Sequence, residues 1–312
     1  MKILALGVKP SHLGAARQVA PDAHFVHVET KEEAEANIAD AEILVSWGRL
    51  MTPELIAKAH KLAWIHVFSA GVDRLISPAM LASPAVLTNS RGAHAIPMAE
   101  HVMGLILAFE RGLPALLQQQ KERRWNPLKL REVYGSTLGL VGYGGIGREV
   151  ARRARGFGMK IVAVRKHPAA EEGVEIWALE RLDDLFAASD HVVASIPLTD
   201  ESRHLIGERQ FRAMKPTAYF FNLGRGPVVD EEALIAALRE KRLAGAGLDV
   251  FETEPLPADS PLWDLPNVIV SPHTSASSPR QQERVVAVFA ENLRRFLAGQ
   301  PLINVVDKAA GY

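Results

Sequence analysis

Residues 137–167 read TLGLVGYGGIGREVARRARGFGMKIVAVRKH, and their order decides the fold. An apolar run, Thr137–Val141, meets Gly142, Gly144 and Gly147. A helical stretch follows. A second β-branched run, Lys160–Val164, then stops at Arg165, Lys166 and His167. G-x-G-x-x-G directly after a strand and at the opening of a helix is a dinucleotide-binding fingerprint. The first glycine permits a tight turn and the second lets a pyrophosphate approach the backbone. The third lets helix and strand pack closely, with the phosphates at the helix N-terminus. The loop alone is weak, but here strand, helix and second strand fall at the spacing of one βαβ unit.

The second strand of such a unit normally ends in Asp or Glu, about 20 residues on, which accepts hydrogen bonds from the adenosine ribose. Arg165 stands in that place. A guanidinium has donors only, so it cannot accept those bonds. It can pair in bidentate fashion with a 2′-phosphate, and Lys166 adds a point charge beside it. The expected cofactor is NADP(H) in preference to NAD(H), with NAD(H) use possible. The plainer alternative is a solvated basic turn.

Outward from this unit, strand-like and helical segments alternate along the chain. Strands are expected near Ile3–Leu6, Phe25–Val28, Ile43–Ser46 and Leu62–Val67, with helices near Leu13–Val19, Lys31–Asn37 and Pro53–His60. After the glycine loop, strands are expected at His191–Ile196, Ala218–Asn222, Ala244–Val250 and Val268–Ser271. A helix over Asp230–Leu243 has Asp230 as its cap and Glu231 and Glu232 in its first turn. Alternation of this kind implies parallel sheets covered by helices.

The fold class expected is therefore α/β: a Rossmann-type doubly wound parallel sheet plus a smaller flavodoxin-like α/β domain. The helix Pro97–Arg111 is apolar nearly all round and should be buried. Pro279–Ala298 starts with Ser278 as a candidate cap and stops at Gly299. The expected boundaries are a discontinuous substrate domain, 1–96 and 281–312, around a dinucleotide-binding domain, 97–280. The apolar tail Leu302–Val306 needs a packing partner.

Composition removes several function classes. Lys plus Arg and Asp plus Glu both total 36, which argues against a nucleic acid or an anionic membrane as the main partner. No stretch is long and apolar enough to span a membrane. MKILALGVKP reads as a first strand, and a cytoplasmic protein is the default expectation. There are no cysteines, so thiol nucleophiles and thiolate metal sites are excluded. The 11 histidines form no H-x-x-x-H pair backed by a carboxylate, so no metal site is expected.

Three later segments end strands with polar residues, where open α/β sheets bind ligands. FNLGRGPVVD (221–230) sets Arg225 on a glycine-flanked loop. LDVFETEP (248–255) carries Asp249, Glu252 and Glu254. VSPH (270–273) ends in His273. Each alone reads as a surface ion pair or a satisfied histidine. Together, an arginine, a carboxylate and a histidine suit reduction of a 2-oxo acid, which needs a cation for the substrate and a general acid.

These stretches resemble the D-isomer-specific 2-hydroxyacid dehydrogenases. The resemblance runs in order through FSAGVDRL (68–75), TNSRGAHAIPMAEHVMGLILAFER (88–111), TLGLVGYGGIG, IPLTDES, MKPTAYFFNLGRGPVVDEEALIAAL, AGAGLDVFETEPLP and NVIVSPH. It implies that Arg225 holds the substrate carboxylate and polarises the 2-oxo group, with His273 as general acid. It implies that Glu254, immediately before Pro255, pairs with His273, and Glu252 is the competitor for that role. Asp249 would bind the nicotinamide carboxamide. Gly145, Ile146, Pro197, Ser202, Leu223, Gly224 and Ser275 would join Gly142, Gly144 and Gly147 around the cofactor, with His273 beside it.

Backbone amides of Ser69, Ala70 and Gly71 would cradle the substrate carboxylate, and Trp47 is a candidate pocket residue. Arg165 departs from the family's commonest pattern, an Asp. That points to the NADP-preferring glyoxylate/hydroxypyruvate reductases and to a small 2-oxo or 2-hydroxy acid as partner. A D-lactate-type or branched 2-oxo acid dehydrogenase is the nearest alternative, and a dinucleotide-sensing corepressor-like protein is the non-enzymatic one. A homodimer through the 97–111 helix region is expected.

Overall fold

A computed structural model describes all 312 residues and divides them into two compact units, Met1–His94 with Ser277–Tyr312, and Ala95–Ala276. The first unit holds five parallel strands: β1 (Lys2–Leu6), β2 (His24–Val28), β3 (Ile43–Ser46), β4 (Trp64–Val67) and β5 (Val86–Asn89). Their order is β2-β1-β3-β4-β5, the flavodoxin-like order. β3 and β4 are buried along their whole length, which is why both read as runs without alternation. His66, in the middle of β4, is fully buried and spends its ring nitrogens on the Thr88 and Ser90 hydroxyls, at 2.8 and 3.1 Å.

The apolar tail finds its place against β5. The Val306 amide donates to the Leu87 carbonyl at 2.9 Å, and the Val306 side chain joins the core. β5 itself was not expected from the sequence, because VLTN is short and half polar. The helix Pro53–Ala57 stops three residues before His60. The helix expected from Pro279 starts at Gln281 instead. Ser278 is not its cap: its hydroxyl and carbonyl accept the Arg280 and Gln281 amides, which makes a separate turn before the helix. Gly299, at φ +62°, ends this helix as the sequence predicts.

The second unit holds seven parallel strands: β6 (Thr137–Val141), β7 (Lys160–Val164), β8 (Glu175–Trp177), β9 (His191–Ala194), β10 (Tyr219–Asn222), β11 (Gly245–Leu248) and β12 (Val268–Val270). The order β12-β11-β10-β9-β6-β7-β8 is doubly wound, and it reverses between β6 and β9. Register pairs Val141 with both Val164 and Ala194, and Asn222 with both Ala194 and Leu248. The strands therefore end level, and the loops that follow them gather along one sheet edge.

The helix Ala95–Glu110 packs on the helix Gly145–Gly156 and is buried along much of its length. The helix over Glu231–Arg239 is shorter than expected, although Asp230 does cap it through the Ala233 amide at 3.0 Å. Lys241 at φ +54° terminates it. The Arg242 amide then reaches back to the Ala237 carbonyl, a Schellman closure with lysine where glycine is usual.

Candidate active site

The three fingerprint glycines divide the work as their spacing suggests. Gly142 turns the chain at φ +97°, and a Cβ there would meet the Ile196 side chain at 2.6 Å. A Cβ on Gly147 would strike the Gly142 carbonyl oxygen at 2.5 Å, so this glycine brings helix and strand together. A Cβ on Gly144 would meet nothing within 4 Å. Gly144 caps the helix Gly145–Gly156 with no side chain of its own, and Gly145 beside it is exposed. An open face at the N-terminus of a twelve-residue helix fits a pyrophosphate. Ile146 is half-buried at the first turn.

Beyond β7, the Arg165 backbone amide donates to the Trp177 carbonyl at 3.2 Å, which fixes the strand end. Lys166 Nζ lies 2.6 Å from Glu201 Oε2, both side chains exposed. Tyr143, inside the glycine loop, donates its hydroxyl to Glu171 at 2.6 Å, and Arg148 pairs with the same carboxylate. Sequence reading missed both carboxylates, since no motif links residues so far apart in the chain. In the loop after β9, the Ser202 hydroxyl accepts the Thr199 amide and donates to the Pro197 carbonyl, both at 2.8 Å. Ser202 is buried there, so it shapes the loop that carries Pro197.

Arg225, Glu254 and His273 follow β10, β11 and β12, three adjacent strands. Asn222 braces the first loop from both ends: its side chain accepts the Gly224 amide and donates to the Arg225 carbonyl, both at 3.1 Å. A Cβ on Gly224 would meet the Ile196 carbonyl oxygen at 2.8 Å, and one on Gly226 the Phe251 carbonyl oxygen at 1.8 Å. The two glycines flanking Arg225 are thus required by backbone crowding. Leu223 is buried between them and β10.

Glu254 Oε2 lies 2.9 Å from His273 Nδ1, and its Oε1 accepts the Phe251 amide at 3.2 Å. Glu252 pairs elsewhere, with His204 Nε2 at 2.8 Å. The two carboxylates left in competition by the sequence are thereby separated into two His–Glu pairs. A carboxylate facing Nδ1 places a proton on that nitrogen and leaves Nε2 for other work.

Asp249 is buried and its carboxylate is occupied. Oδ1 accepts the Ser271 hydroxyl at 2.6 Å and the Thr274 amide at 2.9 Å, and the Ser275 amide is shared between Oδ2 at 3.0 Å and Oδ1 at 3.2 Å. The Asp249 carbonyl also accepts the His273 amide at 2.9 Å. Asp249 therefore clamps the turn on which His273 sits, at φ +52°. His101, from the helix Ala95–Glu110, backs this clamp through Ser271 at 3.1 Å.

In the first unit, the segment after β4 is held by its carbonyls. Ser69, Ala70 and Gly71 accept from the Ser90 amide, the Asn89 side chain and the Ser69 hydroxyl, at 3.2, 2.7 and 3.0 Å. Their own amides donate to no protein acceptor. Three undonated amides in one short segment suit an anionic ligand. Buried His94 steadies the segment through the Phe68 carbonyl at 3.0 Å, and burial holds its ring below the usual histidine range. Trp47 packs edge-on against Phe68 and stays half-buried.

Comparison with known proteins shows the family to which the chain belongs. The family described as D-isomer specific 2-hydroxyacid dehydrogenase, NAD binding domain, matches residues 103–275. D-3-phosphoglycerate dehydrogenase of Methanocaldococcus jannaschii is 38% identical over 285 residues, 89% of this chain; the match spans 54% of that relative's own length. Glyoxylate/hydroxypyruvate reductase B of Citrobacter koseri is also 38% identical, over 89% of this chain and 88% of that one. Among solved structures, the NADPH-dependent glyoxylate/hydroxypyruvate reductase of Sinorhizobium meliloti, in complex with NADP and sulfate, superposes with a TM-score of 0.88. It is 29% identical, with 100% of this chain and 99% of that chain covered. No helix is long and apolar enough to cross a membrane.

Proposed function

Because the chain belongs to the D-isomer specific 2-hydroxyacid dehydrogenase family, an NAD(P)-dependent oxidoreductase family, we propose that it is an NADPH-dependent reductase of small 2-oxo acids. Glyoxylate and hydroxypyruvate are the substrates favoured, with D-2-hydroxy acids as products. The observation that carries this reading is the His273–Glu254 pair at 2.9 Å, one strand away from the Arg225 loop. His273 is 49% exposed and engages Glu254 through Nδ1, which keeps Nε2 for a ligand, whereas the comparably exposed His204 spends its Nε2 on Glu252.

The dinucleotide, when bound, supplies the hydride. The chain's own residues supply the rest. Arg225 takes the substrate carboxylate and the 2-oxo oxygen, because a guanidinium donates two parallel hydrogen bonds. As negative charge grows on that oxygen, His273 Nε2 delivers a proton to it, and in the reverse reaction takes it back. Glu254 accepts from Nδ1 in both states, so the ring keeps one orientation while Nε2 gains and loses its proton. The amides of Ser69, Ala70 and Gly71 are proposed to cradle the substrate carboxylate, with Trp47 bounding the small side chain.

The open face at Gly144 and the neighbouring Gly145 take the pyrophosphate. Ile146, Pro197, Leu223, Gly224 and Ser275 border the rest of the dinucleotide. Arg165 and Lys166 take the 2′-phosphate, which is the basis for NADPH over NADH. The relatives named above support glyoxylate or hydroxypyruvate as substrate. We also propose a homodimer. The apolar side chains of the helix Ala95–Glu110 are largely buried within its own unit, but Leu117 and Trp125 just after it are 60% and 99% exposed.

The test is NADPH oxidation by the purified protein with a panel of 2-oxo acids, including glyoxylate, hydroxypyruvate and pyruvate. Turnover is expected to be best with the first two and nearly abolished in Arg225→Ala and in His273→Ala. Unchanged turnover in either variant overturns the mechanism. Tight NADPH binding without turnover on any acid overturns the enzymatic reading in favour of a sensor.

A further inference from the structure

Lys166 Nζ sits 2.6 Å from Glu201 Oε2, across 35 residues of chain. The two residues stand in the loops after β7 and β9, which pair with β6 on its two sides. The ion pair therefore lies beside the glycine loop that ends β6, at the corner where the adenosine ribose is expected. Both side chains are exposed, at 53% and 76%, so the pair is cheap to open.

We infer that Glu201 is a specificity-tuning counter-ion, whose carboxylate competes with the cofactor 2′-phosphate for Lys166. This rests on the reading that Arg165 and Lys166 take that phosphate. A phosphate monoester carries about −1.5 to −2 charge near pH 7, against −1 for a carboxylate, and so displaces Glu201 from the ammonium. The displaced carboxylate then stands close to a like charge. Glu201 thus weakens NADPH binding. NADH brings only a neutral 2′-hydroxyl to this corner, so its binding does not require the pair to open. Glu201 restrains the selectivity that Arg165 and Lys166 create, and the pair offsets part of the corner's positive charge before the cofactor arrives.

The test is titration of the free protein with NADPH and with NADH, followed by nicotinamide fluorescence. Glu201→Gln is expected to lower the Kd for NADPH about two- to fivefold, the range that an exposed ion pair supports. The Kd for NADH should stay within error. In a Lys166→Met background the same substitution should do nothing, since the coupling is lost. Asp200→Asn removes the same charge from the neighbouring residue and should reproduce little of the effect. An equal change for both cofactors, an effect that survives in Lys166→Met, or no effect at all overturns the inference. Arg165→Ala separates this from the underlying reading. If it collapses the NADPH preference while Glu201→Gln is inert, only the role of Glu201 fails. If Arg165→Ala and Lys166→Met both leave the preference intact, both readings fail.

Discussion

Replacing Asp249 by asparagine separates two roles for a residue that the family resemblance places on the nicotinamide. In the structure its carboxylate is already used by three donors: the Ser271 hydroxyl, the Thr274 amide and the Ser275 amide. Asparagine fits best with its oxygen at the Oδ1 position, where the Ser271 hydroxyl and the Thr274 amide converge. Its NH2 then falls at the Oδ2 position and faces the Ser275 amide, donor against donor, at a site only 1% exposed, and that amide keeps only its longer 3.2 Å contact to the Oδ1 oxygen. A lost hydrogen bond to a charged group costs about 1.5–3 kcal/mol, and the retained contact to Oδ1 keeps the effect towards the lower end of that range. For a unit of this size each kcal/mol lowers Tm by about 2–4 °C, so a drop of roughly 4–8 °C is expected for about 2 kcal/mol.

The turn that loosens carries His273, whose amide is bonded to the Asp249 carbonyl. Turnover with hydroxypyruvate should therefore fall along with Tm, while the Kd for NADPH moves less. Thermal melting, NADPH titration and steady-state turnover on one preparation give all three quantities. An unchanged Tm with a Kd raised tenfold or more would refute the clamp and put the carboxylate on the cofactor instead.

Other expectations follow from burial. His66 is buried with its pKa lowered to about 3 from the ordinary 6.5, because burial disfavours the charged ring. The unfolded chain takes up this proton below pH 6.5 and the folded chain does not. The His66 contribution is therefore whole above pH 6.5 and falls by about 1.4 kcal/mol per pH unit as pH drops towards 3. Unfolding free energies from urea titrations at pH 6.5 and 5 should differ by about 2 kcal/mol from this residue, and the acid limb should flatten in His66→Gln; an equally steep limb in that variant would contradict it. The glycines of the site should also respond differently. Gly144→Ala meets open space, so it should keep the wild-type Tm and weaken NADPH binding; Gly226→Ala meets the Phe251 backbone and should cost about 1–3 kcal/mol of stability. A Gly144→Ala protein that melts early, or a Gly226→Ala protein that does not, would contradict this division.

The glycine loop and its two strands were legible because three kinds of signal agree there: apolar run, turn glycine and helix periodicity. Strand positions in the second unit follow from short apolar runs; β6 and β7 fall where expected, and β9 to β12 are one or two residues shorter at one or both ends, where backbone pairing stops before the apolar pattern does. β5 and β8 escaped because four- and three-residue strands with polar members carry no period. Ser278 looked like a cap because Pro279 follows it, yet its hydroxyl is spent one turn earlier.

For the site, strand ends marked Arg225, Glu254 and His273, but the choice between Glu252 and Glu254 needed the family or the structure. Spacing along a loop does not say which carboxylate meets which histidine. His204 as the partner of Glu252, Glu201 of Lys166 and Glu171 of Tyr143 were invisible for the same reason. Each is joined to its partner by the sheet rather than by the sequence.

The measurement that bears most directly on the account is the ratio of kcat/KM for NADPH to that for NADH, with hydroxypyruvate at saturation, in the wild-type protein and in Arg165→Asp with Lys166→Ser. Arg165 at the end of β7 predicts a ratio well above one in the wild type, and inversion in the variant through a higher KM for NADPH. A wild-type ratio at or below one, or a ratio that the double substitution leaves unmoved, would contradict the assignment of this corner to a 2′-phosphate.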